Sequence, residues 1–295
     1  MTYQAHNFKK LADLVEEHTP QEGINVTAFE HLGTYKAYST QPREPEIDIP
    51  ASVIVLQGQK VCFLGGKKYI YEPGKVLLGL YPAPVETELL EASPDKPYLA
   101  VGVALDMGRM TEMLLRIDQF DETAPQPVSG DLSAKITMDL NDQILDSFIR
   151  LFSLLAQPRD AFILGDAMVD EIYYRLLCDE HSGELRSLLQ QKGKIRRISK
   201  AIDYIHANLD QPVSVEKLAE VVLMSRTNFY LNFKEVMHVS PLQYAKSVKL
   251  FEAQKLLKEG MRVGEACDMV GYNNLGQFSR EYKRQFGVSP SATAA

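Results

Sequence analysis

Two stretches near the C-terminal end carry basic and aromatic side chains at matching positions. Residues 229–241 are FYLNFKEVMHVSP and residues 278–290 are FSREYKRQFGVSP, which is an internal repeat with an offset of 49 residues. Six positions agree in type: Phe229 with Phe278, Phe233 with Tyr282, Lys234 with Lys283, and Val239, Ser240 and Pro241 with Val288, Ser289 and Pro290. Arg and Lys side chains bind phosphates and guanine, so the chemistry that this repeat could perform is contact with a nucleic acid.

Each copy of the repeat follows a shorter helical segment and a turn, which predicts two helix-turn-helix units. The units cover about 213–234 and 263–284 within a C-terminal DNA-binding domain over residues 192–295. Between them, residues 242–257 are predicted to form one amphipathic helix of about 16 residues. Such a helix spans roughly 24 Å and can hold the second helices of both units about one DNA turn, roughly 34 Å, apart.

The turns inside the two units differ in sequence. A small residue in the first helix of each unit, Ala219 or Cys267, lets the second helix cross closely, and a turn residue follows four positions later. Gly271 suits a turn that needs a positive φ, whereas Leu223 at the equivalent position does not. We therefore expect the first turn to be built less tightly or differently.

Polar residues can begin and line the second helices. Ser225 and either Asn273 or Asn274 are suited as N-caps. With the aromatic residues packed inward, the side chains left to face a major groove are Arg226, Thr227, Tyr230 and Leu231 in the first unit and Leu275, Gly276, Gln277 and Arg280 in the second.

A longer string in the second unit is specific enough to compare with known families. It is G-Y-x5-F-S-R-x-Y-K-R-x-x-G-x-S-P, formed by Gly271, Tyr272, Phe278, Ser279, Arg280, Tyr282, Lys283, Arg284, Gly287, Ser289 and Pro290. This string resembles the signature of the AraC/XylS-type transcription regulators, and the similarity covers roughly residues 195–290. Two earlier segments, PVETELLEASPDKPYLAVGVALD and EIYYRLLCDEHSGELR, resemble the N-terminal domain of one subgroup of that family, a cupin-like β-barrel followed by helices.

The resemblance implies a DNA-contacting site and its partners. Outward residues of the second helices, the recognition helices, would contact bases of double-stranded DNA, and basic residues at their ends would hold phosphates. The candidate DNA-binding residues are Ser225, Arg226, Thr227, Asn228, Tyr230, Leu231, Lys234, Asn274, Gln277, Ser279, Arg280, Lys283 and Arg284. Arg280 is the leading candidate for guanine, whereas Leu231 stands where many relatives have Arg and can contact a thymine methyl. RNA polymerase is a further implied partner.

The charge distribution favours a nucleic-acid partner for one end of the chain. The net charge is −7, but residues 193–295 carry 15 Lys and Arg against 10 Asp and Glu, and residues 1–192 carry 17 against 29. An acidic body with a basic tail fits a phosphate-binding module attached to another domain. A second interpretation stays open, because Lys234, Lys283 and Arg284 could be solvated helix ends.

The N-terminal region is predicted to be a mainly β domain. After a short helix over residues 7–18, residues 24–106 contain runs rich in Val, Ile, Leu and Tyr that are separated by Gly and Pro. Gly65 and Gly66 suit a two-residue hairpin turn, and seven or more strands would form a small barrel or sandwich. The expected fold is α+β, with a cupin-like β-barrel and flanking helices at residues 1–118 and an all-α C-terminal domain.

Residues 119–191 are predicted to connect the two domains. The segment 118–133 has the composition of a linker, and helices are expected from there to the end of the sequence. Apolar residues recur at helical spacing over 139–155 and 161–177. This helical pair could form a homodimer contact or could merely cover the sheet.

The barrel could be an effector site, a protein contact, an enzyme or a thiol sensor. Cupin enzymes often bind a metal through His, but none of the six His lies in the stretch 47–106, and neither a Ser-His-Asp order nor a P-loop nor a GxGxxG context occurs. We expect a small-molecule pocket without metal or cofactor, lined by Cys62, Phe63, Tyr69, Tyr71 and Tyr81 unless these residues are simply core. Cys62 lies near three Lys residues and could alternatively capture an electrophile such as an aldehyde.

The sequence also predicts where the chain acts. The longest apolar runs fall well short of the roughly 18 residues that a membrane helix needs, and the first ten residues lack the apolar core of a signal peptide. The three Cys residues are widely separated and are expected to be free thiols. We therefore expect a cytoplasmic protein.

Overall fold

A computed structural model describes residues 3–120, 133–190 and 192–294 of the chain. The N-terminal region starts with helix α1 (Tyr3–Glu17) and continues through the strands β1 (Gly23–Val26), β2 (Leu32–Ala37), β3 (Gln41–Asp48), β4 (Ala51–Gln57), β5 (Gln59–Leu64), β6 (Lys67–Tyr71), β7 (Lys75–Gly79), β8 (Ala83–Glu91) and β9 (Tyr98–Ala104). It is completed by helix α2 (Met107–Phe120), strand β10 (Lys135–Asp139) and the helices α3 (Asp142–Leu154), α4 (Pro158–Cys178) and α5 (Gly183–Gln190).

The strands form two antiparallel sheets. The first sheet has the order β1-β2-β9-β4-β7-β10 and the second has the order β3-β8-β5-β6. The predicted α+β fold with an N-terminal β domain is confirmed, and this β domain consists of two sheets rather than one closed ring of strands. The Gly65-Gly66 turn between β5 and β6 is confirmed as well, because both residues have a positive φ, 58° and 84°.

Strands β4 and β9 are apolar along nearly their whole length because both of their faces are covered. Their sequences, ASVIVLQ and YLAVGVA, show almost continuous burial instead of an alternation of buried and exposed residues. Helix α1 packs on one face of these strands, α3 packs against α1, and α4 packs against α3. The other face lines a cavity between the two sheets.

Helices dominate the described residues after the predicted linker, but strand β10 was not predicted. This strand pairs with β7 and places Lys135 opposite Gly79, at the edge of the first sheet. A five-residue strand followed directly by a helix leaves little period-2 signal, and its partner lies far away along the sequence. Most of the predicted linker, residues 121–132, lies outside the described residues.

The described part of the C-terminal region is helical throughout. It contains α6 (Lys192–Ala207), α7 (Val215–Val221), α8 (Arg226–Met237), α9 (Pro241–Lys258), α10 (Val263–Met269), α11 (Leu275–Phe286) and α12 (Pro290–Thr293). Helices α7 and α8 form the first helix-turn-helix unit, α10 and α11 form the second, and α9 joins them. Within the described ranges, each helix is too short or too polar to cross a membrane.

The two helix-turn-helix units differ in how they are attached to the β domain. The buried residues Phe229, Phe233 and Tyr244 of the first unit and α9 belong to the same apolar core as the β domain. Phe278 and Tyr282 of the second unit belong to a smaller, separate core. The first unit is therefore integrated with the β domain, and the second unit packs mainly on α9.

Candidate nucleic-acid interface and the adjoining cavity

Each recognition helix begins at a side-chain cap. Ser225 Oγ accepts a hydrogen bond from the backbone N–H of Asn228 at 3.4 Å, and Asn274 Oδ1 accepts one from that of Gln277 at 2.8 Å. These bonds occupy backbone donors that have no partner inside the helix. The predicted caps are confirmed, with Asn274 rather than Asn273 in the second unit.

The aromatic residues of both recognition helices are buried, as predicted. Phe229 and Phe233 lie with ring centroids 5.6 Å apart, and Phe278 and Tyr282 repeat this arrangement at 5.6 Å. All four side chains are completely inaccessible to solvent. Since residues four apart share a helix face, this burial decides which residues of each helix turn outward.

The outward face of each recognition helix is exposed. The exposed members of the predicted site are Ser225, Arg226, Thr227, Asn228, Tyr230, Leu231, Lys234, Asn274, Gln277, Arg280, Lys283 and Arg284, and Ser279 is half-buried. Arg226 forms an ion pair with Glu216 at 2.8 Å, but its side chain remains 71% exposed. Such an exposed pair is weak, so Arg226 is available to an anionic partner.

The turn of the first unit is not built differently from that of the second, so that expectation is wrong. Leu223 has φ 54° and Gly271 has φ 69°, both in the left-handed region. The left-handed backbone costs Leu223 about 1–2 kcal/mol. Its side chain is 85% exposed, so it does not clash with a neighbour. A Cβ atom on Gly271 would instead lie 2.3 Å from the carbonyl oxygen of Asp210.

A carboxylate that the sequence does not single out links α9 to α11. Glu281 accepts hydrogen bonds from Lys246 Nζ at 2.9 Å, from the Tyr272 hydroxyl at 2.7 Å and from Gln277 Nε2 at 3.3 Å. Burial acts to raise the pKa of Glu281, but these hydrogen bonds hold the pKa below its usual value. Glu281 thus orients the predicted base contact Gln277, at a position that the family string leaves unspecified.

Helix α9 is a rigid spacer between the units. It has 18 residues, two more than predicted, and spans about 27 Å. Ser240 and Gln243 form a capping box at its start, and the buried Lys249 donates from Nζ to the carbonyl oxygen of Gln211 at 2.9 Å. The capping box fixes the start of α9, and the Lys249 hydrogen bond ties α9 to the loop that precedes the first unit.

Arg284 is placed differently from the other predicted phosphate contacts. It lines a groove of about 400 Å³ between the second unit and the second sheet, where Arg43 and Phe63 form part of the opposite wall. The Arg43 guanidinium lies 3.8 Å from the centre of the Phe63 ring. Arg284 therefore faces the β domain in this arrangement, whereas Lys234 and Lys283 are exposed without lining that groove.

The cavity between the two sheets has a volume of about 300 Å³. Its first wall is largely apolar and comes from β1, β2, β4 and β9, with residues such as Val53, Ala100 and Val101. Its rim includes Ile24 and Ile49, which are 75% and 66% exposed. An apolar interior with an exposed apolar rim is the usual surface of a small-molecule site.

The second wall of the cavity carries paired charges. Glu46 accepts hydrogen bonds from Lys60 Nζ at 3.0 Å and from Thr87 Oγ1 at 2.8 Å. Behind this wall, the buried Lys135 forms an ion pair with Asp48 and donates to the Tyr71 hydroxyl at 2.5 Å.

These charges survive burial because each has a partner. Burial acts to lower the pKa of Lys135, but attraction to Tyr71 and Asp48 outweighs it and leaves the pKa above its usual value. Burial acts to raise the pKa of Glu46, but Lys60 and Thr87 hold it below its usual value. Both groups are therefore ionised at neutral pH.

Of the five residues predicted to line the pocket, Tyr71 lines this cavity, and the other four lie elsewhere. Cys62 is core, Phe63 faces the groove beside the second unit, the Tyr69 hydroxyl bonds Ser133 Oγ at 2.8 Å, and Tyr81 is buried beside Ser199 of α6. Single residues in short strands do not reveal which face meets the opposite sheet, because the relative placement of the two sheets is set by tertiary packing.

The structure does not favour the thiol-sensor alternative. The Cys62 side chain is 1% exposed, and burial raises its pKa to about 11 against the weaker effect of Lys135. Lys60, which the sequence places near the thiol, is engaged with Glu46. A reactive thiol needs access and a lowered pKa, and Cys62 has neither.

We expect Cys62 to resist alkylation in the native protein. At pH 7.5, a pKa of about 11 leaves roughly 0.03% thiolate, and the closed core excludes the reagent. Mass spectrometry after treatment with iodoacetamide should find Cys62 unmodified when glutathione in the same tube is consumed. The urea-unfolded chain is the control and should be labelled at Cys62. Rapid labelling of the native protein would restore the sensor hypothesis.

Two capped recognition helices with exposed polar faces, held by a rigid spacer beside a β domain, define a two-domain regulator of the helix-turn-helix class. Residues 28–184 match the family described as the AraC-type transcriptional regulator N-terminus, and residues 218–295 match a helix-turn-helix domain. The first match alone covers more than half of the sequence. The chain therefore belongs to the family of AraC-type transcriptional regulators.

Curated relatives agree with this family. The HTH-type transcriptional regulator AlkR of Acinetobacter baylyi is 37% identical over 94 residues, which are 32% of this chain and 31% of AlkR. The lactose operon transcription activator of Staphylococcus xylosus is 22% identical over 240 residues, which are 81% of each chain. The alignments with the first three relatives, AlkR, LumQ of Photobacterium leiognathi and GbdR of Pseudomonas aeruginosa, span 31%, 60% and 35% of their lengths.

A solved structure shares the fold over nearly the whole chain. ToxT from Vibrio cholerae O395 superimposes with a TM-score of 0.51 at 10% sequence identity, covering 89% of this chain and 96% of ToxT. The arrangement of a β domain followed by two helix-turn-helix units is therefore common to both proteins.

Proposed function

We propose that this chain is a sequence-specific DNA-binding transcription regulator that inserts α8 and α11 into two successive major grooves. We further propose that a small molecule bound between the two sheets modulates this activity. The observation that carries the first proposal is the pair of capped recognition helices whose outward faces are exposed, joined by the 18-residue helix α9. The duplication supports a shared role for the two units, and a role on DNA implies action in the cytoplasm.

The outward side chains have the chemistry that base recognition needs. Arg280 can donate two hydrogen bonds to guanine, while Asn228 and Gln277 can pair with adenine. Leu231, 57% exposed, can contact a thymine methyl. Lys234 and Lys283, in the last turns of α8 and α11, can contact phosphates of the DNA backbone. We therefore expect the second unit, with Arg280, to give the sharper base preference.

The direct test is selection of bound duplexes from a random DNA pool by the full chain. We expect a preferred site with two blocks whose centres lie about 10 base pairs apart, as for two helices on one face of the duplex. The control is selection by the Leu115→Ser variant, whose change lies on the exposed side of α2 and should leave the selected site unchanged. A pool that shows no preferred sequence would contradict the proposed function.

The cavity supports an effector with a small apolar body and one hydrogen-bonding group. About 300 Å³ is at the lower end of the size of ligand sites, and the first wall offers mainly apolar contacts. Any polar group of the effector would meet the second wall, where Glu46, Lys60, Asp48 and Tyr71 lie. These side chains are engaged with one another or with Lys135, so an effector must compete with existing hydrogen bonds there.

Filling the cavity should remove the response to the effector and leave DNA recognition intact. Ala100 lines the cavity and is 4% exposed, so Ala100→Phe occupies part of the space at a stability cost of about 1–3 kcal/mol. We expect metabolite fractions that change the DNA affinity of the wild-type chain to have no effect on this variant. Leu115→Phe, on the exposed side of α2, is the matched control. A response that survives in Ala100→Phe would place the effector elsewhere.

The proposal also includes a homodimer contact on α4 and, from the family resemblance, RNA polymerase as a partner. Phe162, Ile163 and Leu164 are 86%, 65% and 44% exposed at the start of α4. Consecutive exposed apolar residues of this size indicate a surface that a partner covers. We expect the wild-type chain to sediment as a dimer at about 10 µM and the double variant Phe162→Ser/Ile163→Ser to sediment as a monomer. A monomeric wild-type chain would contradict the contact.

A further inference from the structure

Three consecutive residues, Ser133, Ala134 and Lys135, join the cavity to the first recognition helix. Lys135 contacts Asp48 and Tyr71, and both of these residues line the cavity. One residue earlier, the backbone N–H of Ala134 donates to the carbonyl oxygen of Val236 in the last turn of α8 at 3.0 Å. The distance along the chain between these contacts is a single peptide unit.

Ser133 adds a side-chain connection to the same helix end. Its hydroxyl lies 3.2 Å from Nε2 of His238, the residue that ends α8, and 2.8 Å from the hydroxyl of Tyr69. It also accepts a hydrogen bond from the backbone N–H of Lys135 at 3.2 Å. Ser133 therefore bonds to the start of β10, to β6 and to the end of α8 at once.

Close packing makes this connection stiff. His238 has φ 56°, in the left-handed region, and stands against the turn between β5 and β6. A Cβ atom on Gly65 would lie 2.2 Å from the His238 Cβ, so backbone and side chain are already in contact there. Closely packed groups transmit a displacement instead of absorbing it.

We propose that residues 133–135 couple the occupancy of the cavity to the position of α8, with Lys135 as the positioning residue. This inference rests on the proposed function and specifies how the effector site regulates it. A ligand that competes for Asp48 or Tyr71 removes partners from a buried ammonium group, which must then move or find a new partner. The displacement passes through the Ala134–Val236 and Ser133–His238 hydrogen bonds to α8. The second unit has its own core, so the effect falls on the half of the DNA site that α8 contacts.

The coupling can be tested without knowing the effector, because substitutions can alter the Lys135 contacts. The probe is the duplex selected by the wild-type full chain, and the readout is its dissociation constant at fixed salt. Two substitutions are measured, Lys135→Met and the milder Tyr71→Phe. Each is made in the wild-type chain and in the double variant Ser133→Ala/His238→Asn. Asn is chosen at position 238 because it tolerates the left-handed conformation found there. We expect each to change the affinity about two- to thirtyfold alone. In that background the effect should be clearly smaller, because only the Ala134–Val236 backbone hydrogen bond remains.

The specificity of the effect has a matched control. Lys36 is a second buried lysine of the first sheet, 7% exposed and paired with Glu16 at 3.0 Å, outside the connection to α8. Lys36→Met should leave the affinity unchanged. The change in Lys135→Met should also vanish on a duplex whose first block is scrambled.

Each outcome of this comparison of the two backgrounds supports or overturns the proposed coupling. Equal effects in both backgrounds, or unchanged affinity in Lys135→Met and Tyr71→Phe, would overturn the coupling and leave the proposed function standing. A wild-type chain without any preferred duplex would overturn both. If circular dichroism shows that Lys135→Met is unfolded, the Tyr71→Phe cycle, which removes one hydroxyl, decides alone.

Discussion

Replacing Arg280 by Ala should weaken binding to the selected duplex by about 1–3 kcal/mol and abolish the preference for one base pair in its second block. Arg280 lies about one and a half turns into α11, is exposed, and belongs to the face opposite the buried Phe278 and Tyr282. A guanidinium can bond both acceptors of guanine at once, which a truncated side chain cannot replace. Fluorescence anisotropy with duplexes that differ at that pair measures both effects.

Lys283→Ala provides the matched comparison, because it removes a cation from the same helix. A phosphate contact is independent of sequence, so this variant should weaken binding to all duplexes alike. It should also lower the slope of log affinity against log salt by about 0.9. If Arg280→Ala keeps full specificity, or if Lys283→Ala changes it, the assignment of the two roles is wrong.

Gly271→Ala should destabilise the second unit by about 2–5 kcal/mol. The left-handed backbone costs a residue with a Cβ about 1–2 kcal/mol, and the contact at 2.3 Å from the Asp210 carbonyl oxygen adds an overpacking cost of about 1–3 kcal/mol. Because the second unit has its own core, we expect a separate early transition in urea, with tryptic cleavage after Arg262, just before α10, and at the Arg and Lys residues within α11. The α8 half of the DNA site should remain recognisable.

The equivalent position in the first unit should respond in the opposite way. Leu223→Gly relieves the left-handed conformation of an 85% exposed side chain and costs some unfolded-state entropy. We expect stability to change by less than about 1 kcal/mol, in the direction of stabilisation. Wild-type stability in Gly271→Ala, or a large loss in Leu223→Gly, would show that the space around each turn does not decide its tolerance.

The caps and buried faces of the recognition helices could be predicted from sequence because they depend on neighbours within one or two helical turns. Ser225 and Asn274 bond backbone groups three residues away. Phe229 and Phe233 are four residues apart and therefore share one helix face. The left-handed turn at Leu223 could not be predicted from sequence. The low preference of Leu for this conformation reflects its local steric cost, but the surrounding packing decides whether that cost is outweighed. The same limit applies to Arg284, whose neighbours Arg43 and Phe63 are more than 200 residues away.

By itself, the sequence determined the duplication, the two helix-turn-helix units, the spacer helix, the α+β fold and the family. Each of these depends on periodicity, caps and motif spacing, which are properties of short segments. The tertiary structure alone decided that Lys135 begins strand β10 and contacts Asp48 and Tyr71 at the cavity, that Glu281 holds Gln277, and that Cys62 is sealed in the core. Those facts depend on which distant segments meet, and a buried charge or thiol takes its properties from the groups that surround it after folding.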